Sequence, residues 1–175
     1  VRRNLGLPSF TGAAGYSSAR RFNQDAVAEI SASLMQAFYS RPATLDYLGS
    51  LDQGLTFSLH ALLFSEDMAG LMRTMWAGVQ VDEETLAVEL AKEVGPRGNY
   101  LAQRHTVSHC RDNLWPSRYF GPNLPLNNDG RPDKDLVERI DDDLRSVLAN
   151  HRPPPLDPAL LAELDAIRAR FALTV

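Results

Sequence analysis

The segment VGPRGNYLAQRHTVSHCRDNLW, residues 94–115, contains two histidines, His105 and His109, and the only cysteine of the chain, Cys110. Imidazole and thiolate side chains bind metals, and histidine also transfers protons near neutral pH. The segment could therefore form a metal site, a catalytic acid/base pair, or a turn that leads into a helix.

A helical conformation of residues 105–114 would separate the histidines from the cysteine. At 100° per residue, one stripe of such a helix carries the apolar side chains of Val107, Cys110 and Leu114. The opposite side carries His105, His109 and Asp112. We therefore predict that the apolar stripe faces the core and that Cys110 is a small buried side chain rather than a metal ligand.

The remaining His-x3-His-x2-Asp pattern leaves three interpretations open. A zinc site would need Asp112 or the distant His60 as a third ligand, and a zinc protease needs Glu where this chain has Thr106. We favour a polar helix face with hydrogen-bonding histidines, and we expect no tightly bound metal. The third interpretation is a substrate pocket, because a Gly-Pro-x-Gly turn at residues 95–98 lets the backbone approach a ligand closely.

Composition predicts one globular domain over residues 1–175, with 44% hydrophobic and 23% charged residues. The net charge of −4 provides no general attraction for nucleic acid or an anionic membrane. No apolar run approaches the roughly 20 residues of a membrane span. A single cysteine excludes an internal disulfide, so we expect a cytoplasmic protein.

Apolar residues at helical spacing predict the elements of the amino-terminal half. The first helix begins after Asn23 and ends near Pro42, and a helical pattern resumes at Ser58. Ser65, which two acidic residues follow, predicts a further helix start, and Trp76 is predicted to lie in the core. Residues 43–59 mix β-forming residues with glycine and predict a short strand and a loop.

The carboxy-terminal half is also predicted to be mostly helical. One helix begins after Asp82 and stops at Gly95, and the run ERIDDD is predicted to be a solvated face of a later helix. That later helix has the apolar residues Leu136, Ile140, Leu144 and Val147. A proline-rich linker, residues 152–158, precedes a last helix, which carries Leu160, Leu164, Ile167 and Phe171. The whole chain is thus helix-rich, with at most two or three short strands.

Residues 1–21 carry four arginines and no acidic residue around the small-residue run TGAAGYSSA. The run lacks both the Gly-x-Gly-x-x-Gly order and the Gly-Lys-Ser/Thr ending of phosphate-binding loops. We therefore predict a loop that is either flexible or packed against a partner.

Three segments occur in the order and spacing of a known family. They are GLPSFTGAAGYSSARRFNQDA, LGSLDQGLTFSLHALLFSEDMAGLM and VDEETLAVELAKEVGPRGNYLAQRHTVSHCR. Together they resemble the carboxy-terminal part of the trimethylamine methyltransferase family, the methylamine:corrinoid methyltransferases. Methanogen members use pyrrolysine, but residues 1–91 contain no lysine or non-standard residue. The chain therefore resembles more closely the relatives that act on quaternary amines such as glycine betaine.

The resemblance implies an α/β fold that is the carboxy-terminal portion of a TIM barrel, which needs about 250 residues when complete. A missing amino-terminal half, or a second copy of the chain, would cover its open face. The implied reaction moves a methyl group from a methylated or quaternary amine to a corrinoid that a partner protein carries.

Because the corrinoid would supply the nucleophile, the residues of this chain would bind, orient and dehydrate the amine. Aromatic rings next to glycine-containing loops are candidates to hold the cation by cation–π attraction, namely Tyr16, Tyr47, Phe57 and Tyr100. His105 and Thr106 match a His-Thr pair of the family. With Gly98 and Asn99 of the preceding turn they complete the predicted substrate-binding set, and no catalytic residue is predicted.

Two other hypotheses compete with the methyltransferase. The first is a non-catalytic helical binding or oligomerisation module that keeps part of the scaffold. Departures from the family pattern favour it: Ser17-Ser18-Ala19 replaces an Asp-Ser-Lys-like triplet, His60 stands at an acidic position, and WPSRYFGPNLP is unusual. The second is a small metallohydrolase that uses His105, His109 and Asp112.

Overall fold

The computed structural model describes residues 6–11, 14–122 and 124–172. The chain divides into two compact units, Val1–Leu144 and Arg145–Val175. The described residues contain seven α-helices: α1 (Gln24–Ser40), α2 (Leu59–Ala77), α3 (Glu83–Leu86), α4 (Val88–Val94), α5 (Arg104–Asn113), α6 (Leu136–Asn150) and α7 (Pro158–Ala172). They also contain four two-residue strands: β1 (Phe10–Thr11), β2 (Thr44–Leu45), β3 (Ser50–Leu51) and β4 (Thr56–Phe57). The prediction of a helix-rich chain with few short strands is confirmed, although the four strands exceed the two or three that the sequence predicts.

Helix α1 begins and ends where the sequence predicts. The Asn23 side chain accepts hydrogen bonds from the backbone N–H groups of Asp25 and Ala26, both at 3.1 Å, and so caps the first turn. Arg41 ends the helix in the left-handed conformation, with φ of 47°, directly before Pro42. Local capping chemistry is sufficient to set both ends.

Helix α2 is one continuous helix, so the predicted helix start at Ser65 is wrong. The hydroxyl of Ser58 caps the helix by accepting from the Ala61 N–H at 3.3 Å. Ser65 and Asp67 instead lie fully buried in the middle of α2. The acidic group that looked like a helix start is used for contacts with residues far along the chain.

The core lies mainly between α1 and α2. Its buried apolar side chains include Ala26, Ile30, Leu34, Ala61, Phe64, Met68, Met72, Tyr119 and Ile140. Trp76 packs against this cluster, and its ring nitrogen donates to the Phe38 carbonyl at 3.1 Å. The rings of Trp76 and Phe38 are stacked with centroids 5.9 Å apart, which confirms the predicted place of Trp76 in the core.

The strands form two separate pairs. Strands β1 and β2 are parallel, with Phe10 opposite Thr44. Strands β3 and β4 form an antiparallel hairpin around a 3-10 turn at Asp52–Gly54. The predicted short strand and loop over residues 43–59 therefore contain three strands and a helical turn.

The single helix predicted after Asp82 is interrupted. Asp82 and Thr85 form a reciprocal capping box at the start of α3, as the acidic residue suggests. Ala87 adopts a left-handed conformation, with φ of 48°, and separates α3 from α4. Helix α4 then ends at Gly95, as predicted.

Helix α5 forms as predicted, but its apolar stripe does not face the core. Val107 and Leu114 are 62% and 63% exposed, and Cys110 is only half-buried. His105 and His109 are half-buried because the polar side of α5 contacts α3. The helix is therefore oriented by hydrogen bonds, which leave its apolar stripe accessible.

Helix α6 buries Ile140, as its apolar periodicity predicts. The acidic run is accessible, as predicted, because Glu138 and Asp142 are exposed and Asp141 and Asp143 are half-buried. All three aspartates also have partners in other segments. The pairs are Asp141 with His60 at 3.3 Å, Asp142 with Lys134 at 2.5 Å, and Asp143 with Arg118 at 3.1 Å. These contacts fix residues 141–143 of α6 to other segments of the first unit.

The linker has no regular secondary structure before α7 begins at Pro158. The four apolar residues predicted for α7 are accessible, from Leu164 at 40% to Phe171 at 71% exposed. No helix among the described residues is long and apolar enough to cross a membrane.

Candidate functional site

The parallel pair places two loops at one edge. Strands β1 and β2 run in the same direction, so the chain leaves both carboxyl ends on the same side. Loops at the carboxyl ends of parallel strands are where α/β proteins commonly build their sites. Tyr16 follows β1 and Tyr47 follows β2, so both candidate aromatic residues lie beyond this edge.

The loop over residues 14–19, the tyrosine loop, is packed rather than flexible. The Gly15 N–H donates to the Ser33 hydroxyl at 2.9 Å, and the Ser17 N–H donates to the Ser50 carbonyl at 3.0 Å. Gly15 has a φ of 81°, and a Cβ there would lie 2.5 Å from Cδ2 of Leu48. Glycine is therefore required for this loop to touch the segment after β2.

Glu29 of α1 binds the same loop. Its carboxylate accepts from the Ser17 hydroxyl at 2.7 Å, the Ser18 N–H at 2.6 Å and the Ser18 hydroxyl at 2.7 Å. The hydrogen bond from Ser17, followed by those from Ser18, holds the pKa of the Glu29 carboxyl below its usual range. Ser17 and Ser18, two of the residues that depart from the family triplet, thus have a defined partner.

The β3–β4 hairpin carries Phe57 on β4, and the ring of Tyr47, which precedes β3, lies beside its turn. A Cβ built at Gly54 would lie 3.4 Å from the Tyr47 ring, and one at Gly49 would lie 2.8 Å from the Phe57 ring. Tyr47 and Phe57 are 46% and 59% exposed, so both rings are accessible. Tyr16, Tyr47 and Phe57 therefore belong to one connected set of loops, which we name the aromatic edge.

The backbone of the aromatic edge is strained. Tyr47, Asp52 and Gln53 have φ of 64°, 48° and 56°, a region that side-chain-bearing residues rarely adopt. The backbone N–H groups of Asp52 and Gln53 donate to the carbonyls of Ala19 and Ser17 in the tyrosine loop, which hold them there. Strained residues that surrounding contacts maintain are concentrated at functional sites.

A separate cleft of about 910 Å³ contains the histidines and shares no lining residue with the groove beside Phe57. Its lining includes Phe38, Met75, Asp82, Glu84, His105, His109 and Trp115. The two imidazole rings stack with centroids 4.2 Å apart. We name this the histidine cleft.

Both histidines of the cleft are used in hydrogen bonds. The Nε2–H of His105 donates to the Glu84 carbonyl at 2.9 Å, and the Nδ1–H of His109 donates to the His105 carbonyl at 2.9 Å. The proton positions follow because a carbonyl oxygen only accepts. His109 Nε2 also lies 3.7 Å from a Glu84 carboxylate oxygen. The predicted polar face with hydrogen-bonding histidines is confirmed.

A metal site has no support in the described geometry. Within residues 6–11, 14–122 and 124–172, no group of three or more His, Cys, Asp or Glu side chains is arranged to hold a metal ion. The Asp112 side chain, which the metallohydrolase hypothesis requires, lies outside the described residues. Cys110 does not join the histidines in such a group either, because its thiol donates to the Val107 carbonyl at 3.6 Å.

The remaining predicted site residues form the turn before α5. A Cβ at Gly98 would collide with the Val94 carbonyl, so only glycine fits at this position of the turn. The Asn99 side chain accepts from the Leu101 N–H at 2.9 Å, which also stabilises the turn. Thr106 is half-buried beside His105 on α5, and Tyr100 is 43% exposed. Tyr16, Tyr47 and Phe57 therefore lie at the aromatic edge, whereas the other predicted residues lie within residues 98–106. Of these, His105 lines the histidine cleft.

Sequence reasoning missed a buried carboxylate network. Asp67 is 1% exposed and accepts from the Ser117 hydroxyl at 2.5 Å and the Arg118 N–H at 3.2 Å. The Arg118 guanidinium also contacts Glu66 and Asp143, and Asp143 accepts from the Tyr119 hydroxyl. Burial, then this hydrogen bond, raises the pKa of Tyr119 above its ordinary value. Asp67 lies some 50 residues before its partners Ser117 and Arg118 in the sequence, so no local pattern indicates this network.

Comparison with known proteins shows one consistent similarity. The family model described as trimethylamine methyltransferase (MTTB) matches residues 1–172. Trimethylamine methyltransferase MttB1 of Methanosarcina acetivorans is 32% identical over 166 residues, which are 93% of this chain and 32% of that protein. MttB of Desulfitobacterium hafniense is 32% identical over 119 residues, which are 68% of this chain and 24% of the relative.

A relative named for a different substrate matches as well. The glycine betaine methyltransferase of Desulfitobacterium hafniense is 26% identical over 172 residues, which are 97% of this chain and 35% of that protein. The chain therefore spans between a quarter and about a third of the length of these curated relatives.

Proposed function

This chain belongs to the trimethylamine methyltransferase family, and we propose on that premise that it is part of an enzyme that moves a methyl group from a methylated amine to a corrinoid protein. The observation that carries the proposal is the family match over residues 1–172, together with relatives named for methyl transfer. Trimethylamine and a quaternary amine such as glycine betaine are the two substrate classes to test.

We propose that the chain is the carboxy-terminal portion of a TIM-barrel-like fold. The parallel pair β1–β2 supports this, because a parallel sheet is stable only when further strands and helices cover it. Exposed apolar residues outside the core mark the surface that a further segment, or a second copy of the chain, would cover. They include Val79, Val81, Leu86, Val88, Val107 and Leu114, each at least 51% exposed.

The aromatic edge is the amine-binding site that we favour. A methylated ammonium is attracted to the face of an aromatic ring, and removal of water around it strengthens the attraction. Three features support this position: the carboxyl ends of parallel strands, two accessible rings at Tyr47 and Phe57, and the strained backbone of Asp52 and Gln53. Tyr16 would contribute a third ring.

The histidine cleft is the second candidate for the amine. Its rings at Phe38 and Trp115, with carboxylates at Asp82 and Glu84, also suit a cationic ligand. His105 and Thr106 would then orient the amine, while Gly98 and Asn99 would shape the turn beside it. Substitutions in the two sites separate the alternatives, because their lining residues do not overlap.

The corrinoid would accept the methyl group as the nucleophile and would arrive on its own protein. A delivered cofactor needs access rather than a resident cavity. The rings of Tyr47 and Phe57 meet that condition, because they are 46% and 59% exposed. This chain would therefore bind and orient the amine and exclude water from it.

The test is methyl transfer by the intact protein that contains this chain. A reduced corrinoid carrier would be mixed with trimethylamine or with glycine betaine, and formation of methylated corrinoid followed by its absorbance. Methylation with either amine supports the proposal. A protein that binds a partner but methylates no corrinoid from any amine would instead be a binding module.

A further inference from the structure

Glu29 occupies a position from which one carboxylate controls the conformation of the tyrosine loop. Both of its oxygens are used: Oε2 accepts from the Ser17 hydroxyl and the Ser18 N–H, and Oε1 accepts from the Ser18 hydroxyl. A carboxylate that accepts several hydrogen bonds makes stronger contacts than neutral groups do. Ser17 then accepts from the Ala19 N–H at 3.0 Å, which extends the network by one residue.

Tyr16 lies between two anchored residues of this loop. On its amino-terminal side, the Gly15 N–H donates to Ser33 of α1. On its carboxy-terminal side, Ser17 is held by Glu29 of the same helix and by the Ser50 carbonyl of β3. The Tyr16 backbone is thus held from α1 on both sides and from β3 on its carboxy-terminal side.

The same loop also supports the strained turn. The Ser17 and Ala19 carbonyls accept from the N–H groups of Gln53 and Asp52 at 3.2 and 2.9 Å. These two residues have the left-handed conformation that the aromatic edge requires. Loss of the Glu29 contacts would therefore reach Tyr47 and the hairpin through the backbone, although Glu29 touches neither.

We infer that Glu29 is a positioning residue: its carboxylate holds Ser17 and Ser18, and through them it fixes Tyr16 and the Asp52–Gln53 turn at the aromatic edge. The structural part stands on the hydrogen bonds alone. The consequence for amine binding rests on the proposed function.

The test compares Glu29→Ala and Glu29→Gln with the unchanged chain by hydrogen–deuterium exchange. Alanine favours helix more than glutamate does, so Glu29→Ala leaves α1 intact while it removes all acceptors. Glutamine keeps one acceptor oxygen and serves as the conservative variant. Glu93→Ala, the same substitution at an exposed position of α4, is the matched control.

We expect the Ser18, Ala19 and Gln53 amides to exchange about tenfold faster in Glu29→Ala, in keeping with the loss of charge-assisted hydrogen bonds. Glu29→Gln should restore part of the protection, and Glu93→Ala should match the unchanged chain. Core amides of α1 and α2 should keep their protection in every variant. Unchanged exchange at Ser18 and Ala19 in Glu29→Ala would overturn the inference.

In the intact protein, Glu29→Ala should raise KM for the amine about fivefold with a smaller change in kcat, because binding geometry rather than chemistry is altered. Faster loop exchange with an unchanged KM would overturn the role in amine binding. If no amine supports methyl transfer even in the unchanged protein, the proposed function fails, and the exchange result still decides the structural part.

Discussion

At the scale of single residues, the proposed amine binding depends on which aromatic ring contacts the amine. Among the candidate rings, Tyr47 offers the clearest test, because its ring is accessible and its backbone is left-handed. The sequence predicts a set of candidate rings but does not distinguish among them, because it does not show how each ring is placed. The distinction comes from the hairpin and from the glycine at position 54, against which the Tyr47 ring lies.

Removal of the Tyr47 ring should weaken amine binding. We expect Tyr47→Ala to raise KM for the amine about tenfold, since a cation–π contact contributes about 1 to 2 kcal/mol. Tyr47→Phe keeps the ring and should change KM by less than about threefold. Tyr39→Ala, at a tyrosine that is 79% exposed on α1, is the control. An equal KM for Tyr47→Ala and Tyr39→Ala, together with a raised KM for His105→Ala, would move the amine to the histidine cleft.

The Glu29 carboxyl should make stability depend on acid pH. Its pKa is lowered in the folded protein by Ser17 and then Ser18, so its contribution is complete above the unfolded value of 4.5. That contribution is lost as pH falls through the lower folded pKa. The difference in unfolding free energy between the unchanged chain and Glu29→Ala should therefore shrink below pH 4.5. Urea denaturation at several pH values measures it, and a difference that grows in acid would contradict the assignment.

At the scale of elements, local patterns predict helices better than they predict what the helices contact. The ends of α1 follow from Asn23 and Pro42, because capping and proline chemistry act within a few residues. The helix start predicted at Ser65 is wrong because Asp67, two residues later, is bound by Ser117 and Arg118 from a distant segment. The Arg118 guanidinium also pairs with Asp143 of α6, so the same distant segment binds both helices.

The buried member of the Arg118 network should matter far more than the exposed one. Asp67→Ala should lower the free energy of unfolding by about 3 kcal/mol, because it removes a buried carboxylate that accepts from the Ser117 hydroxyl and the Arg118 N–H. Glu66→Ala, at the neighbouring exposed partner of the same arginine, should cost less than about 1 kcal/mol. Chemical denaturation measures both. Equal losses at the two positions would show that burial does not set the energetics of this network.

Helix α2 contains a glycine whose role is contact rather than flexibility. A Cβ at Gly70 would overlap the ring of Trp115, a residue that lines the histidine cleft. Gly70→Ala should therefore destabilise the protein and displace the indole, although alanine normally favours a helix interior by about 1 kcal/mol. In a Trp115→Ala background the same substitution should become neutral or stabilising. A double-mutant cycle by denaturation, with indole fluorescence, tests this, and additive effects would contradict it.

At the scale of the whole molecule, family membership and the helix-rich content follow from the sequence, while the distribution of the predicted site does not. The segments that carry Tyr16, Tyr47 and Phe57 are joined because β1 and β2 are parallel and the tyrosine loop is hydrogen-bonded to the β3–β4 hairpin. His105 belongs to another cleft because α5 binds α3 through its polar face. Periodicity predicted the opposite orientation of α5, since it assumes that a helix buries its apolar stripe within its own chain.

The exposed apolar surface yields a prediction about the isolated chain. Large apolar side chains are exposed on α3, α4 and α5, and we expect the 175-residue chain to self-associate or bind an apolar dye through them. Val107→Ser, at a residue 62% exposed on α5, should reduce that association while secondary structure is retained. Analytical ultracentrifugation and dye fluorescence measure it. A monomeric chain without dye binding would contradict the proposal that a further segment or a second copy covers this surface.

The central claim is that this chain supplies the amine-binding part of a methyl transfer to a corrinoid protein. The most direct measurement is the absorbance of a reduced corrinoid carrier mixed with the intact protein and either trimethylamine or glycine betaine. We expect methylated corrinoid with at least one of the two amines and a raised KM for that amine in Tyr47→Ala. Absence of methylated corrinoid with every methylated amine tried, with the protein folded and the carrier reduced, would contradict it.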